Sequence, residues 1–331
     1  MRNLITDIRG LRVGHAQDQI AATGVTVALF DQPTIASVAV LGGAPGARET
    51  ALLEPEMTVS HIDAIVLSGG SAHGLAAADG AMSWLVAQGR GFPVGNLRVP
   101  IVPQAILFDL LNGGDKPWAR TGGQTPYRAL GSAAIAAAGL DFALGTAGAG
   151  FGATTANLKG GLGSASARAA TGQMVGALAA VNAVGSATIG AGPHFWAAPY
   201  ERDAEYGGRG WPGAITADDL AIRFKGGPGQ NTTIALVATD AVLTKAQCKR
   251  LALAAHDGLA RALRPVHAPL DGDIVFAAAT GRAGAPSDPL ALAELCACAA
   301  DVLARAVARG VHAAAALPFP GALPSWRDRF G

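Results

Sequence analysis

A threonine that follows a glycine-rich run is the residue of this chain best suited to chemistry. The run Gly226-Gly-Pro-Gly-Gln-Asn231 leads into Thr232-Thr233, and a β-branched apolar segment continues to Asp240. This pattern predicts a loop that feeds a buried strand, with glycines that permit strained backbone angles. A hydroxyl there can attack the carbonyl just before it, and hydrolysis of the ester would leave Thr232 as a new chain terminus. Its freed α-amine, with an ordinary pKa of about 7.7–8.0, would serve as the base. The alternative is a plain surface loop that enters a strand.

Two carboxylates form a second candidate group. Asp271-Gly-Asp273 precedes the apolar run Ile-Val-Phe-Ala-Ala-Ala, which predicts a turn that opens a strand. Because side chains alternate across a strand, Asp271 and Asp273 should face the same way. A paired, partly buried carboxylate site can orient or deprotonate a neighbour, whereas the alternative is an ordinary Asp-Gly turn. The pair has no His or Cys at ligand spacing, so we expect it to act without a metal.

Two further polar residues stand alone in apolar surroundings. Lys159 carries the single charge of the glycine-rich stretch 145–163, where a flexible point charge suits holding a carboxylate or tuning a catalytic group. A solvated surface lysine in a hairpin is the alternative for it. Asn182 ends the apolar run that starts at Met174 and is a candidate oxyanion donor, although a turn-forming Asn is the commoner case.

A tight glycine turn surrounds Ser71. The segment from Ile62 to Gly74 predicts a strand and a turn, and an alanine-rich helix follows to about Gln88. It resembles the Gly-x-Ser-x-Gly nucleophile elbow, but His73 stands where the second glycine is required. Neither a phosphate-binding lysine nor a Gly-x-Gly-x-x-Gly pattern is present. We therefore interpret this turn as a helix N-terminus beside an anionic or carbonyl group, with Ser71 as a substrate-binding candidate.

The elements that must position these groups follow from periodicity and capping. Short apolar runs bounded by turns predict strands, and Thr244 and Asp288-Pro289 predict the starts of two helices. The predicted strands are Leu11–His15, Gly24–Phe30, Ile35–Leu41, 62–68, Met174–Gly185 and the segment after Thr232.

Composition narrows the class of protein. The chain has 331 residues, 50% of them hydrophobic, 15% charged and 45 of them Gly, which predicts one closely packed domain. A formal net charge of +1 does not favour binding to nucleic acid or to an anionic membrane. No apolar stretch approaches the roughly 18 residues of a membrane span, and three cysteines cannot form a disulfide framework. A cytoplasmic protein is expected.

Five motifs in order along the chain resemble the DmpA-like (S58) family of aminopeptidases and amidases, which includes β-aminopeptidases and nylon-oligomer hydrolases. The motifs lie at Thr6–His15, Pro45–Thr50, Leu67–Gly80, Gly226–Asp240 and Asp271–Asp273. Gly-x-Asn-Thr-Thr-Ile and Asp-Gly-Asp look most like the nylon-oligomer enzymes.

The resemblance implies an α+β fold, a four-layer αββα sandwich similar to that of N-terminal-nucleophile hydrolases. It implies a single domain, 1–331, that cleaves itself between Asn231 and Thr232 into subunits 1–231 and 232–331. The subunits would stay together and assemble into a homo-oligomer, a tetramer of processed heterodimers, without a cofactor. Thr232 matches the nucleophile, and Asp271 and Asp273 match the acidic pair that orients it. Lys159 and Asn182 match polar groups of the active site.

One departure from the family pattern bears on the substrate. Phe108 stands where several members place an active-site Tyr, which removes a hydroxyl from the substrate-binding site. The expected substrate is a small peptide or amide: an N-terminal residue, a β-peptide or an aminohexanoate oligomer. Two alternatives stay open, an ornithine-acetyltransferase-like acyl transferase and a non-catalytic assembly protein that retains the fold.

Overall fold

The computed structural model describes residues 1–226 and 231–331, which contain eleven strands and six α-helices. The strands are β1 (Leu11–Asp18), β2 (Thr23–Val40), β3 (Ala47–Arg48), β4 (His61–Ser68), β5 (Phe92–Val94), β6 (Leu97–Val99), β7 (Gln104–Ile106), β8 (Gly161–Arg168), β9 (Met174–Asn182), β10 (Thr232–Thr239) and β11 (Ile274–Ala279). The helices are α1 (Ala77–Ala87), α2 (Trp118–Thr121), α3 (Tyr127–Ala136), α4 (Lys245–Ala262), α5 (Pro289–His312) and α6 (Trp326–Phe330).

Hydrogen bonds join nine of these strands in one sheet: eight follow the order β3-β7-β4-β2-β11-β10-β9-β8, and β1 pairs with β2 off this path. β10 lies inside this path, antiparallel to β9 and parallel to β11. The pairing of β2 with β4 shifts register between Leu29 and Thr34, which divides β2 into two halves. The first half pairs with β1 and the second with β11, so β2 connects two strand layers.

Three apolar clusters separate four layers. Alternate side chains of β9 and β10 point to opposite faces, as the two-residue period of a strand requires. Val181 and Val237 pack against α4 and α5 in one cluster, whereas Leu178 and Leu236 meet β1, β4 and the first half of β2 in a second. A third cluster packs the far side of β2 and β4 against α1 and α3. The order is helices, strands, strands, helices, so the predicted αββα sandwich is confirmed.

The helix starts are confirmed at both predicted positions. Thr244 caps α4 through a capping box, and the Asp288 side chain accepts hydrogen bonds from the first turn of α5. The two strands predicted between Gly24 and Leu41 are instead parts of one strand, β2. The polar residues between them stay extended through the register shift and join the two parts. Cys248, Cys296 and Cys298 all have free thiols. Among the described residues, no helix has the length and apolar character needed to cross a bilayer.

Candidate active site

Thr232 is the first residue of β10 and lies directly opposite Asn182, the last residue of β9. Opposed residues of an antiparallel pair point to the same face, and this face is the one that carries Leu178 and Leu236 into the inner apolar layer. Both polar side chains are buried. The Thr232 Oγ1 donates a hydrogen bond to the carbonyl oxygen of Asn231. The hydroxyl therefore lies against the carbonyl group that precedes it, at the edge of the space between the two strand layers.

The Asn182 amide is held in one orientation. Its Oδ1 accepts from Lys225 Nζ at 2.6 Å, from Asn112 Nδ2 at 3.0 Å and from the Thr154 backbone N–H at 3.0 Å. Its Nδ2 donates to the Phe108 carbonyl oxygen at 2.8 Å. Because three donors converge on Oδ1, the amide cannot rotate without losing all three. Asn182 thus ends a strand with a fixed amide, and it does not form a turn.

Lys225 is a site residue that the sequence did not single out. It is buried, and it also donates to the Thr154 carbonyl oxygen at 3.3 Å. Burial lowers the pKa of Lys225 to about 7, against the opposing influence of Asp109 and Asp271. A single lysine next to a glycine-rich loop is typical of an exposed connector, so only the three-dimensional contact with Asn182 reveals it.

Lys159 lies in the interior, and the surface alternative is wrong. Its Nζ donates to the carbonyl oxygens of Gly150, Ala153 and Gly160 at 3.0, 2.8 and 2.7 Å. Burial, with Lys225 next in importance, lowers the pKa of Lys159 to about 7. All three donors of the ammonium are used by backbone, so this lysine holds the glycine-rich loop together behind the Asn182 side chain.

The two predicted carboxylates meet just before β11. Asp271 and Asp273 are both buried and hydrogen-bonded to each other, as the expected pairing requires. Burial, reinforced by the charge of Asp273, raises the pKa of Asp271 to about 8. Asp273 Oδ1 accepts from the backbone N–H of Thr233 at 2.8 Å. The acidic pair therefore reaches β10 through the residue after Thr232.

A histidine that the sequence did not assign completes this group. His267 donates to Asp273 Oδ2 twice, from its backbone N–H at 3.0 Å and from Nδ1 at 2.8 Å. Its position four residues before Asp271 matches no metal-ligand spacing, which is why spacing alone did not indicate it. Among the described residues, no group of three or more His, Cys, Asp or Glu side chains is arranged to hold a metal ion.

The turn between the carboxylates packs on Thr232. A Cβ on Gly272 would lie 2.7 Å from Thr232 Oγ1 and 2.8 Å from the Ala44 carbonyl oxygen. The Ala44 N–H donates to the Asp271 carbonyl at 2.7 Å, and the Gly42 N–H donates to the Asp273 carbonyl at 3.2 Å. The loop after β2 thus fixes the turn from one side while Thr232 contacts it from the other.

Phe108 lies beside Asn182, and Ser71 lies beside the preceding residue, Leu107. Phe108 contributes its carbonyl to the Asn182 amide, and the Ser71 N–H donates to the Leu107 carbonyl at 2.9 Å. Ser71 has a φ of +52° and opens a short 3₁₀ helix that leads into α1. The adjacent Gly70 N–H donates to the carboxylate of Asp109 at 2.8 Å. The turn therefore lies beside the buried carboxyl group of Asp109, whose pKa is raised by burial.

A cavity of about 400 Å³ is lined by the residues that donate hydrogen bonds to Asn182, although neither Thr232 nor the acidic pair lines it. Its polar wall includes Asn112, Thr154 and Lys225, the three residues whose donors converge on Asn182 Oδ1. Phe319 and Leu323 are among the apolar residues of the wall. A volume of this size is within the usual range for a small-molecule site, roughly 300–1,000 Å³.

Two solved structures share this fold over nearly the whole chain. A β-aminopeptidase from Burkholderia sp. has a TM-score of 0.69 at 25% identity and covers 99% of this chain and 93% of its own. An L-aminopeptidase D-Ala-esterase/amidase from Ochrobactrum anthropi, a prototype of the serine aminopeptidases with a variant Ntn hydrolase fold, has a TM-score of 0.72 at 21% identity, over 99% and 92%. The chain thus has the fold of the N-terminal-nucleophile hydrolases.

The family follows from the sequence comparison. The model of peptidase family S58 matches residues 3–321, and the chain belongs to this family. An uncharacterized aminopeptidase of Mycobacterium tuberculosis is 46% identical in an alignment 349 positions long, which covers 99% of this chain and 98% of the relative. One from Mycobacterium leprae is 43% identical in an alignment 365 positions long, which covers 97% of this chain and 95% of the relative. The predicted family is confirmed, whereas a special nearness to nylon-oligomer hydrolases stays a prediction.

Proposed function

We propose that this aminopeptidase processes itself between Asn231 and Thr232 and then uses Thr232 as its nucleophile on small peptides or amides. The observation that carries the proposal is the hydrogen bond from Thr232 Oγ1 to the Asn231 carbonyl, at the start of an interior strand. The hydroxyl of a surface loop would have no such fixed relation to the preceding peptide bond.

Self-cleavage would begin as an acyl shift from nitrogen to oxygen. Thr232 Oγ1 bonds to the carbonyl carbon of Asn231 and loses its proton to a base, while the Thr232 nitrogen gains a proton as the C–N bond breaks. Water then hydrolyses the ester, which leaves a carboxylate on Asn231 and a free α-amine and hydroxyl on Thr232. Asp271 and Asp273 are buried acid–base groups, and Asp273 contacts this junction through the backbone N–H of Thr233.

Substrate hydrolysis would use the same hydroxyl. Thr232 Oγ1 attacks the substrate carbonyl with its own α-amine as proton acceptor, and water releases the acyl-enzyme. Asn182, whose amide orientation is fixed, would act with a backbone N–H as the oxyanion donor. Loss of one such donor costs about 10²–10³ in rate, so we expect an effect of that order for Asn182→Ala.

The substrate class rests on the cavity and on the relatives. The 400 Å³ cavity beside Asn182 combines polar and apolar walls, which suits a small amide with an apolar body. One solved neighbour is named a β-aminopeptidase. We extend the proposal to β-peptides and aminohexanoate oligomers, and Phe108, which has no hydroxyl, would favour apolar groups at its position.

The decisive experiment follows the wild type, Thr232→Ser and Thr232→Ala on denaturing gels. We expect two fragments for the wild type, the smaller one beginning Thr-Thr-Ile-Ala by Edman sequencing, slower cleavage for Thr232→Ser, and one intact chain for Thr232→Ala. A panel of p-nitroanilides, β-peptides and aminohexanoate oligomers then identifies the substrate. An intact wild-type chain after long incubation at neutral pH would contradict self-processing, and acetyl transfer without net hydrolysis would contradict the proposed reaction.

We also propose that the processed protein is a cytoplasmic homo-oligomer, a tetramer of processed heterodimers. Its support is the family resemblance alone. Sedimentation analysis of the processed wild type measures the mass, and a monomeric heterodimer would contradict this assembly.

A further inference from the structure

We propose that His267 is a positioning residue that holds the Asp273 carboxylate aimed at the start of β10, with the proton of the acidic pair on Asp271. This inference rests on the proposed function of the pair. His267 belongs to none of the motifs on which the family resemblance rests, and its role follows from contacts with the carboxylate.

Three N–H donors converge on the Asp273 carboxylate. His267 supplies two of them to Oδ2, at 2.8 and 3.0 Å, and Thr233 supplies one to Oδ1 at 2.8 Å. A carboxylate that accepts two or three N–H bonds is stabilised in its charged form. Because two adjacent buried carboxyl groups resist double ionisation, the proton of the pair then stays on the other member, Asp271.

The backbone of His267 supports this assignment. Its φ of +53° is in the left-handed region, which is uncommon for a residue with a side chain. Such a conformation persists where the surroundings determine it, and it is found often at functional sites. Here it brings the backbone N–H and the Nδ1 of one residue to the same carboxylate oxygen.

The imidazole tautomer follows from the same contacts. Since an ionised carboxylate only accepts, Nδ1 carries the hydrogen. His267 Nε2 is buried and has no hydrogen-bond partner among the described residues, which suits a bare lone pair better than a second N–H. The charged and titratable groups around the ring are Asp273 and, on α4, His256 with Asp257 beside it.

His256 provides a matched control. Its ring packs edge-on to that of His267 at 4.8 Å between centroids, but its Nε2 donates to the Ala39 carbonyl at 3.0 Å and not to a carboxylate. Burial lowers the pKa of His256 to about 4, so it is neutral at assay pH. If both histidines served only to stabilise the fold, substitution of either one should lower activity equally. If His267 positions Asp273, only substitution of His267 should lower it.

The experiment compares three variants. His267→Gly removes the ring but tolerates the positive φ and keeps the backbone N–H; His267→Asn also tolerates that φ and keeps a side-chain donor where Nδ1 was. His256→Gln keeps the donor to Ala39. We expect His267→Gly to slow self-cleavage and to lower kcat by about 10–100-fold with little change in KM. This is the range found for hydrogen-bond partners that orient metal-ligating side chains. His267→Asn should recover to within a few-fold of the wild type, and His256→Gln should match it.

The separation of kcat from KM gives a readout that a loss of folded protein would not reproduce once rates are expressed per folded molecule by circular dichroism. With its ring donor removed, the Asp273 carboxylate loses its fixed orientation, so kcat per folded molecule should fall in His267→Gly at unchanged KM and return in His267→Asn. A His267→Gly enzyme as fast as the wild type, or a His267→Asn enzyme as slow as His267→Gly, overturns the inference.

Independent evidence comes from the unaltered imidazole. In the Thr232→Ala chain, ¹H–¹⁵N correlation spectra of the histidines should show His267 with hydrogen on Nδ1 at neutral pH, and a predominant Nε2–H tautomer would overturn the inference even if His267→Gly did not fold. Failure of the proposed function is distinguishable, because it appears as an uncleaved wild type or as cleavage in Thr232→Ala, with no reference to His267.

Discussion

Contact between Thr232 and the turn of the acidic pair makes Gly272 sensitive to the smallest possible substitution. In Gly272→Ala the new methyl carbon would lie 2.7 Å from Thr232 Oγ1 and 2.8 Å from the Ala44 carbonyl, and the loop after β2 prevents the turn from moving away. A displacement of about 1 Å at a reacting group can cost roughly 10² in rate, so we expect self-cleavage to slow by about that factor.

Gel time courses of Gly272→Ala measure this effect, and Gly284→Ala is the matched control because nothing lies within 4 Å of its added Cβ. Circular dichroism of both variants shows whether each is folded. Cleavage of a folded Gly272→Ala chain at the wild-type rate would contradict the contact described here.

Asp271 makes the free energy of unfolding fall as the pH rises. Burial raises its pKa in the folded chain from 3.8 to about 8, so the folded state binds more protons than the unfolded state between these values. The stability that protonated Asp271 contributes is therefore fully present below about pH 4 and is lost as the pH rises towards 8. Asp271→Asn, which resembles the protonated form, should abolish this loss.

The measurement is urea unfolding at pH 5 and pH 8.5 in the Thr232→Ala background, where the chain stays in one piece. We expect the advantage of Asp271→Asn over the reference to be larger at pH 8.5. Asp203→Asn removes a charge from an exposed position and should give no such difference. An equal effect of Asp271→Asn at both pH values would show that the carboxyl is ionised throughout.

At this scale the sequence predicted residues whose chemistry is local. Thr232 and the Asp271–Asp273 pair stand in short motifs, so their proximity to a strand end follows from a few neighbouring residues. Lys225 and His267 act through contacts with Asn182 and Asp273, and no local pattern distinguishes them from a connector lysine or a loop histidine. Lys159 illustrates the converse, since the sequence marked it as unusual but its three carbonyl partners became evident only in the folded chain.

At the scale of elements, β8 shows why a strand can escape prediction. Its sequence, Gly-Leu-Gly-Ser-Ala-Ser-Ala-Arg, lacks the β-branched and aromatic residues typical of strands. A Cβ on Gly163 would lie 1.8 Å from the Ala306 carbonyl of α5, and one on Gly310 would lie 2.8 Å from the Gly163 nitrogen. The close approach of α5 selects small residues, which hides the strand pattern, whereas β10 has no such restriction and was predicted.

That packing makes Gly163→Ala strongly destabilising although alanine is no larger than its neighbours in the sequence. Because the obstructing atom belongs to the backbone of α5, either the helix or β8 must move, and overpacking of this kind costs about 3 kcal/mol. Urea unfolding in the Thr232→Ala background measures the change. Gly213→Ala is the control, since nothing lies within 4 Å of its Cβ, and equal stability of the two variants would contradict the close contact.

At the scale of the whole molecule, the proposed cut at Thr232 would divide an intact sheet. Residues 232–331 contribute β10, β11, α4, α5 and α6, whereas β2 and β9 belong to the part before the cut. β10 pairs with β9 along its full length, and β11 pairs with β2, so both outer edges of the second part are hydrogen-bonded to the first. Separation would expose these backbone groups and the apolar cluster that α4 and α5 form with β9.

We therefore expect the two fragments of the processed wild type to remain one particle until the protein unfolds. A C-terminal affinity tag should retain both fragments through native washes and only the smaller one in denaturant, and native mass spectrometry should give masses that contain both. The Thr232→Ala chain, retained as a single band under either condition, controls for non-specific adsorption. Release of the larger fragment under native conditions, with the smaller one still bound, would contradict a shared sheet because paired strands cannot part without exposing their unsatisfied N–H and C=O groups.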